Sequence, residues 1–181
     1  MKRKSHIIQA GDYVLNLDAE TAVMGIINMT PDSFSADGCW INPQKAFLKA
    51  EKLAQKMIRD GAKILDVGGE SSKPGSLKIS VDEERRRVIP LVKILAKKYH
   101  VPISVDTYKF QIAKEALDAG ASMINTIQGV SPDKRLLKAV CDDKAAIILM
   151  HMRKTPRTMQ KNITYRDVVE EIIPRLARKR V

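Results

Sequence analysis

Five apolar stretches of this 181-residue sequence run into polar side chains that could hold a ligand. In chain order, these side chains belong to Asn28, Asp66, Asp106, Asn125 and His151. Each Asn or Asp taken alone is ordinary turn chemistry, because its side chain can hydrogen-bond to its own backbone. His151 stands between two methionines, which favours a structural role over a catalytic one. Five such residues together, behind strongly apolar segments, favour a shared ligand site.

The loop VGGESSKPGS, at 67–76, combines glycines with hydrogen-bond donors and a positive charge. Gly68 and Gly69 would let the backbone approach a ligand closely. Ser72 and Lys73 would supply a hydroxyl donor and a cation. This combination suits a phosphate or pyrophosphate, although the GxxxxGK[ST] spacing of a P-loop is absent. A plain glycine turn explains the loop equally well when the loop is considered alone.

The apolar stretches predict buried parallel strands, because none of them alternates between polar and apolar residues. Helical patterns separate the strands and follow the last one, and this βα alternation indicates a parallel sheet with right-handed crossovers. All five polar residues would then lie at one edge of the sheet. Two closures stay open, a doubly wound open sheet and a (β/α)8 barrel. The predicted strands are 23–27, 64–67, 103–105, 123–124 and 146–150, and the helices are 43–60, 85–99, 109–119, 131–140 and 164–181.

Local signals add detail to these elements. Ser80 and Glu83 match a capping box at the start of the second helix. Pro90 and Pro174 predict a kink or a restart inside their helices. Residues 1–22 are predicted to form a short hairpin segment around the turn residues Gly and Asp, and 23–181 to form one domain.

Composition limits the classes of protein that the chain can belong to. Hydrophobic residues make up 44% and charged residues 29%, which predicts a soluble globular protein without a membrane span. The net charge of +11 is concentrated at the two ends, and aromatic residues are only 4%, so solvated ends are favoured over a nucleic-acid surface. Nucleic-acid binding through the tail RLARKR stays an alternative. Two isolated cysteines predict a reducing, cytoplasmic location.

Four segments, in their order and spacing, resemble the dihydropteroate synthase family of folate biosynthesis: MGIINMTPDSFS, DVGGESSKPGS, PISVDTYK and ILMHMRKTPRTMQ. The likeness covers residues 23–160 and the helix that follows. It implies a (β/α)8 barrel and a transferase that joins 6-hydroxymethyl-7,8-dihydropterin diphosphate to 4-aminobenzoate, with Mg2+, and releases pyrophosphate. It also implies small-molecule substrates and a homodimer.

The resemblance gives roles to the residues that match the family's phosphate and metal side. Asn28 would contribute an oxygen to the Mg2+–pyrophosphate site. Residues 30–38 would form a mobile first loop in which Phe34 walls the 4-aminobenzoate. Ser72 and Lys73 would lie near the diphosphate.

On the pterin side, the resemblance implies that Asp106 accepts hydrogen bonds from the pterin and that Asn125 is a second pterin contact. Met150 would form part of the apolar floor of the pocket. The resemblance therefore predicts Asn28, Asp106 and Asn125 as the catalytic residues.

The sequence departs from the family at four positions. Asp37 stands one position later than the family's aspartate, which bears on a metal role for it. Lys73 replaces an arginine and gives up forked donors for a point charge. Thr126 stands where the family has an aspartate, and Lys154 stands where a glycine is common.

The predicted units are fewer than a closed barrel requires. A (β/α)8 barrel needs eight βα units and ~250 residues, whereas five units are predicted here. The chain alone is therefore expected to be inactive, as the N-terminal portion of such an enzyme. The alternatives are a non-catalytic or partner-dependent pterin-binding fragment, whose barrel a second chain completes, and a pterin-dependent methyltransferase domain. The TPDSF loop argues against the methyltransferase.

Overall fold

The computed structural model describes residues 5–31, 39–40, 43–71, 76–129, 131–153, 158 and 162–177. In the first helix, side chains are described from Lys45 onward. Within these ranges the chain forms an antiparallel hairpin followed by five βα units. None of the described helices combines the length and the apolar character needed to cross a membrane.

The N-terminal hairpin is confirmed as predicted. Strand β1 (Ile7–Ala10) pairs antiparallel with β2 (Tyr13–Asn16). Gly11, in the turn between them, has a φ of +58°, a conformation that glycine adopts without steric cost. The N–H of Gly11 donates to the carbonyl of Lys144 at 3.0 Å, which ties the turn to the rest of the fold.

A five-stranded parallel sheet forms the centre of the fold. Its neighbours follow the chain order without reversal, which is the arrangement of a (β/α)8 barrel and not of a doubly wound sheet. The fold class predicted from the sequence is thereby confirmed for five units. The strands are β3 (Met24–Asn28), β4 (Ile64–Gly68), β5 (Ile103–Asp106), β6 (Met123–Thr126) and β7 (Ala146–Leu149).

The first four helices pack side by side on one face of the sheet and bury the main core. Leu65, Val67 and Val105 point toward this layer and are fully buried against apolar helix residues such as Leu91 and Ile112. Burying large aliphatic side chains contributes ~1.5–3 kcal/mol each, so this layer is the main source of stability. The helices are α1 (Pro43–Arg59), α2 (Val81–Lys98), α3 (Phe110–Asp118), α4 (Lys134–Asp142) and α5 (Val168–Ala177).

The opposite face of the sheet has an apolar lower part and a polar upper part. At the amino ends of the strands, Ile64 and Met123 pack with the fully buried Ala10 of the hairpin. Asp66, Asp106 and Asn125 occupy positions further along the same face, because side chains alternate along a strand. The hairpin therefore covers the end of the sheet that lies away from the polar residues.

Several element boundaries differ from the predictions. Strands β3, β5 and β6 continue through Asn28, Asp106 and Asn125, so these residues belong to strands and not to the turns after them. Helix α4 begins after Asp133, whose carboxylate accepts from the N–H of Arg135 at 2.8 Å. Helix α5 begins at Val168 and not at Thr164.

The start of α2 confirms half of the predicted capping box. Ser80 Oγ accepts from the N–H of Glu83 at 3.1 Å, while the Glu83 carboxylate binds Arg87 at 2.7 Å. Pro90 lies inside α2, which continues from Val81 to Lys98 as one helix, so the predicted restart is wrong.

Candidate functional site

Four residues share one row across the carboxyl end of the sheet. Asn28 is paired with Gly68 in the register of β3 and β4, Gly68 with Asp106, and Asp106 with Asn125. The register thus brings together Asn28, Asp106 and Asn125, three of the five polar residues predicted to share this edge. Sheets of this class place their ligands at this edge, because the strands end there and loops can surround a ligand.

Gly68 keeps the middle of this row open. A side chain begun there would have Asn28 Oδ1 and Asp106 Cβ 3.8 Å away, and Asp106 Oδ2 4.0 Å away. The amide oxygen of Asn28 and the carboxylate of Asp106 therefore lie on either side of Gly68, at distances that leave room for one added carbon among the described residues. A ligand atom placed there would meet a neutral oxygen on one side and a carboxylate on the other.

Asp66 lies one row deeper and supports Asn125. Its side chain is 3% exposed, and its Oδ2 accepts from Asn125 Nδ2 at 3.3 Å. Its other oxygen, Oδ1, is buried and has no hydrogen-bond partner among the described residues. Burial raises the pKa of Asp66, and the neighbouring Ser104 and Asn125 oppose this rise only partly. The hydrogen bond orients the Asn125 amide, which suits a side chain that must present fixed donors and acceptors to a ligand.

Asp106 has a strongly perturbed acidity. Its pKa is raised from 3.8 to about 7, chiefly by burial and further by the negative charges of Asp66, Glu84 and Glu70. A carboxylate in such surroundings gains from any ligand that brings hydrogen-bond donors or positive charge. Strongly perturbed groups in a concave site are candidates for function.

A buried ion cluster lies beside the row and joins two loops. Lys109 Nζ is 2.5 Å from Glu70 Oε2 and 2.5 Å from Glu84 Oε2. The Tyr108 hydroxyl donates to Glu70 Oε1 at 2.8 Å, and the N–H of Ile79 donates to Glu70 Oε2 at 3.3 Å. The cluster therefore fastens both ends of the loop after β4 to the start of α3. The sequence analysis missed it, because nothing local marks these residues as buried partners.

Two backbone hydrogen bonds close the base of the predicted first loop. The N–H of Cys39 donates to the carbonyl of Asn28 at 2.8 Å, and that of Trp40 donates to the carbonyl of Thr30 at 3.2 Å. Predicted residues Phe34 and Asp37 lie outside the described residues, as do Ser72 and Lys73 in the second loop. Their roles stay predictions.

Met150 and His151 lie just beyond the end of β7. Met150 is 36% exposed, and its N–H donates to the carbonyl of Thr126 at 3.0 Å. It is two strands away from Asp106, so a role in a pocket floor stays a prediction. His151 Nε2 lies 3.0 Å from the Tyr165 hydroxyl, a contact with the segment before α5 and not with the row.

Asn28 is the described residue that fits the predicted magnesium role. Within the described ranges, no group of three or more His, Cys, Asp or Glu could hold a metal ion. Magnesium does not need such a group, because it commonly takes one or two protein oxygens and completes its shell with phosphate and water. The amide oxygen of Asn28, which lies 3.8 Å from a carbon added at Gly68, is an oxygen ligand of that kind.

Comparison with known proteins agrees with this fold. A family model described as pterin binding enzyme matches residues 24–180. The dihydropteroate synthase of Bacillus subtilis is 45% identical over 150 residues, which are 83% of this chain and 51% of that protein.

Two solved structures superimpose closely. A Burkholderia cenocepacia dihydropteroate synthase complexed with 7,8-dihydropteroate has a TM-score of 0.78 and 39% identity, over 95% of this chain and 56% of that one. A Xanthomonas albilineans dihydropteroate synthase with 4-aminobenzoic acid has a TM-score of 0.79 and 34% identity, over 97% of this chain and 60% of that one.

The fold and the site define a barrel-type α/β protein with a ligand site at the carboxyl ends of its strands. The chain belongs to the pterin binding enzyme family, since the family model matches nearly its whole length. It spans about half the length of the curated relatives that it matches.

Adjacent glycines give a paired test of the site. Gly68→Ala is expected to leave stability within ~0.5 kcal/mol, because the nearest atoms are 3.8 Å from the added carbon, yet to reduce ligand affinity at least tenfold by filling the space. Gly69→Ala is expected to cost ~1–3 kcal/mol, because its added carbon would lie 2.6 Å from Val88 Cγ2. Denaturant unfolding and ligand titration of both variants measure this contrast, and equal stability losses would contradict it.

Proposed function

We propose that this chain carries the pterin and diphosphate side of a dihydropteroate synthase site. The reaction joins 6-hydroxymethyl-7,8-dihydropterin diphosphate to 4-aminobenzoate and releases pyrophosphate, in the folate pathway. The observation that supports the proposal most directly is the register row in which Gly68, Asp106 and Asn125 are neighbours. The relatives are dihydropteroate synthases, and two solved structures contain 7,8-dihydropteroate and 4-aminobenzoic acid, which agrees with the proposal.

Asp106 and Asn125 would orient the pterin. A carboxylate accepts two N–H groups side by side, and an amide offers both a donor and an acceptor. As the bond between the pterin methylene and the diphosphate breaks, positive charge develops on the pterin. A nearby carboxylate stabilises that charge, and the low-polarity surroundings that raise the pKa of Asp106 make this interaction stronger.

Asn28 would hold the diphosphate end of the site. Its amide oxygen is the proposed protein ligand for Mg2+, which, when bound, neutralises negative charge on the leaving pyrophosphate. Asn28 itself stays fixed through its backbone carbonyl, which accepts from Cys39 at 2.8 Å. Little general-base assistance is needed, because an arylamine is already an uncharged nucleophile at neutral pH.

A partner-dependent form of the same function is the second candidate. In the described part of the sheet, neither β3 nor β7 is paired along its outer edge, and Ile26 of β3 is 49% exposed. Unpaired edges accept further strands. A second chain, or a second copy in a homodimer, would complete the enclosure in this proposal. The cytoplasm remains the proposed location, because the two cysteines are isolated from each other in the sequence and suit a reducing compartment.

Pyrophosphate release tests the function. The 181-residue chain with both substrates and Mg2+ is expected to release pyrophosphate at least ~100-fold more slowly than the Bacillus subtilis relative, because part of the transition-state environment is missing. Pterin diphosphate should nevertheless bind, as calorimetry can show, and Asp106→Asn should weaken that binding about a hundredfold. Failure of the wild-type chain to bind pterin diphosphate, alone or mixed with the unmatched C-terminal part of that relative, would contradict the proposal.

A further inference from the structure

Arg87 is a buried cation in α2 that bonds to the backbone next to the site. It is 8% exposed, and its Nη1 donates to the carbonyl of Gly69 at 3.0 Å. Its Nε donates to Glu83 Oε1 at 2.7 Å, which neutralises its charge. Arg87 is thus paired with a carboxylate and also bonded to a backbone carbonyl one residue from the site. The second bond holds the backbone in place, which charge balance alone does not require.

The same guanidinium lies against Trp40. Its central carbon is 5.6 Å from the centroid of the Trp40 ring, within the range of a cation–π contact. A second neighbour of the ring is Phe47 of α1, at 5.8 Å between ring centroids in an edge-to-face arrangement. Trp40 is thus fixed between α1 and α2 at the point where the chain returns from the predicted first loop.

Both residues that Arg87 contacts, Trp40 and Gly69, are joined to the row of site residues through the residue that precedes each of them in the chain. The residue before Trp40 is Cys39, whose N–H donates to the carbonyl of Asn28 at 2.8 Å. The residue before Gly69 is Gly68, whose carbonyl accepts from the N–H of Met29 at 2.7 Å. Arg87 therefore touches the backbone neighbours of Asn28 and Gly68 without touching the site.

We infer that Arg87 is a positioning residue: through Trp40 and Gly69 it fixes the spacing of Asn28 and Gly68 at the carboxyl ends of β3 and β4. The planar, forked guanidinium of arginine is required, because this single group must bond both Glu83 and Gly69 while it lies against Trp40. A lysine can pair with Glu83 but offers a single point of attachment. The inference rests on the proposed function only for the chemical roles of Asn28 and Gly68.

Three single variants of the full 181-residue chain separate positioning from charge. Arg87→Met removes all the contacts, and Arg87→Lys keeps the charge and the pairing with Glu83. Arg86→Met is the matched control, because Arg86 pairs with the same Glu83 but its side chain is 71% exposed. Two measurements are made: amide hydrogen exchange, and the fluorescence of Trp40, the only tryptophan of the sequence.

Both Arg87 variants are expected to speed exchange at the Cys39 and Met29 amides at least tenfold and to shift Trp40 emission to longer wavelength. Exchange at the buried Leu91 and Ile112 in the helices should change less than threefold in Arg87→Lys, and Arg86→Met should leave both measurements as in the wild type. Arg87→Lys decides the question if Arg87→Met fails to fold.

Unchanged exchange at Cys39 and Met29 in Arg87→Lys, or equal acceleration at Leu91 and Ile112, would overturn the inference in favour of a merely structural role. Calorimetry with Mg2+ and pterin diphosphate tests the proposed function separately. If the wild-type chain binds the ligand, Arg87→Lys should bind it about tenfold more weakly. If the wild-type chain binds nothing, the proposed function is refuted, and the exchange result alone decides the role of Arg87.

Discussion

Asp106→Asn should weaken pterin binding about a hundredfold and at the same time make the ligand-free chain more stable at pH 8. The loss arises because an asparagine cannot accept two N–H groups as a carboxylate does, and charged hydrogen bonds contribute ~1.5–3 kcal/mol each. The gain arises because Asp106 is unfavourable when ionised: its pKa is raised to about 7 by burial and by the charges of Asp66, Glu84 and Glu70. Titration calorimetry and denaturant unfolding measure the two effects.

The sign of the pH dependence follows from this raised pKa. A group whose folded-state pKa lies above its unfolded value stabilises the fold at low pH, and that contribution is lost as pH rises from about 4 to about 7. The stability advantage of Asp106→Asn should therefore exceed ~1 kcal/mol at pH 8 and shrink toward pH 4. The exposed residue Asp82, replaced by Asn, is the control and should show neither effect.

Binding should follow the ionised fraction of Asp106. With the uncharged probe 6-hydroxymethyl-7,8-dihydropterin, which carries no titrating diphosphate, affinity for the wild-type chain should rise about tenfold from pH 6 to pH 8, since ionisation is centred near pH 7. The affinity of Asp106→Asn should be flat over this range. An equal pH dependence in both proteins would show that another group controls binding.

Lys109→Met should destabilise the fold by ~3–5 kcal/mol, because removing one partner of a buried ion cluster leaves uncompensated charges behind. Lys109 pairs with Glu84, which is 1% exposed, and with Glu70, and no other cation among the described residues contacts these two carboxylates. Denaturant unfolding at pH 8 measures this loss.

Two further variants make the Lys109 prediction specific. Lys109→Met combined with Glu84→Gln should recover part of the lost stability, because one unpaired charge is removed along with its partner. Lys114→Met removes a surface pair with Asp118, at 42% side-chain exposure, and should cost less than ~1 kcal/mol. A Lys109→Met chain as stable as Lys114→Met would show that the cluster is better solvated than its burial indicates.

The same cluster links stability to the site. Lys109 offsets the charges of Glu70 and Glu84, and both of these carboxylates act on Asp106. Replacing Lys109 should raise the pKa of Asp106 further. The pH at which pterin affinity is half-maximal should therefore be higher. The residues that fasten the loop after β4 thus also influence the protonation of Asp106, the predicted pterin contact.

The sequence by itself determined the class of fold and most of the row of site residues. Continuous apolar stretches such as 64–67 can be buried on both faces only in a parallel sheet covered by helices, and parallel strands bring their carboxyl ends to one edge. For this reason Asn28, Asp106 and Asn125 could be placed together before any coordinates were known. Local signals such as the Ser80 cap were also sufficient, because their partners lie within four residues.

Periodicity alone left the choice between a barrel and a doubly wound sheet open; the family resemblance implied the barrel, and the strand order of the structure confirms it. Other features were decided only by the tertiary structure. Lys109 meets Glu70 and Glu84 from 39 and 25 residues away, and Arg87 meets Gly69 from 18 residues away, so nothing in a short window marks these contacts. The raised pKa of Asp106 likewise comes from its burial and from the charges of three other acidic residues. Only the packing of the chain determines this burial and these distances.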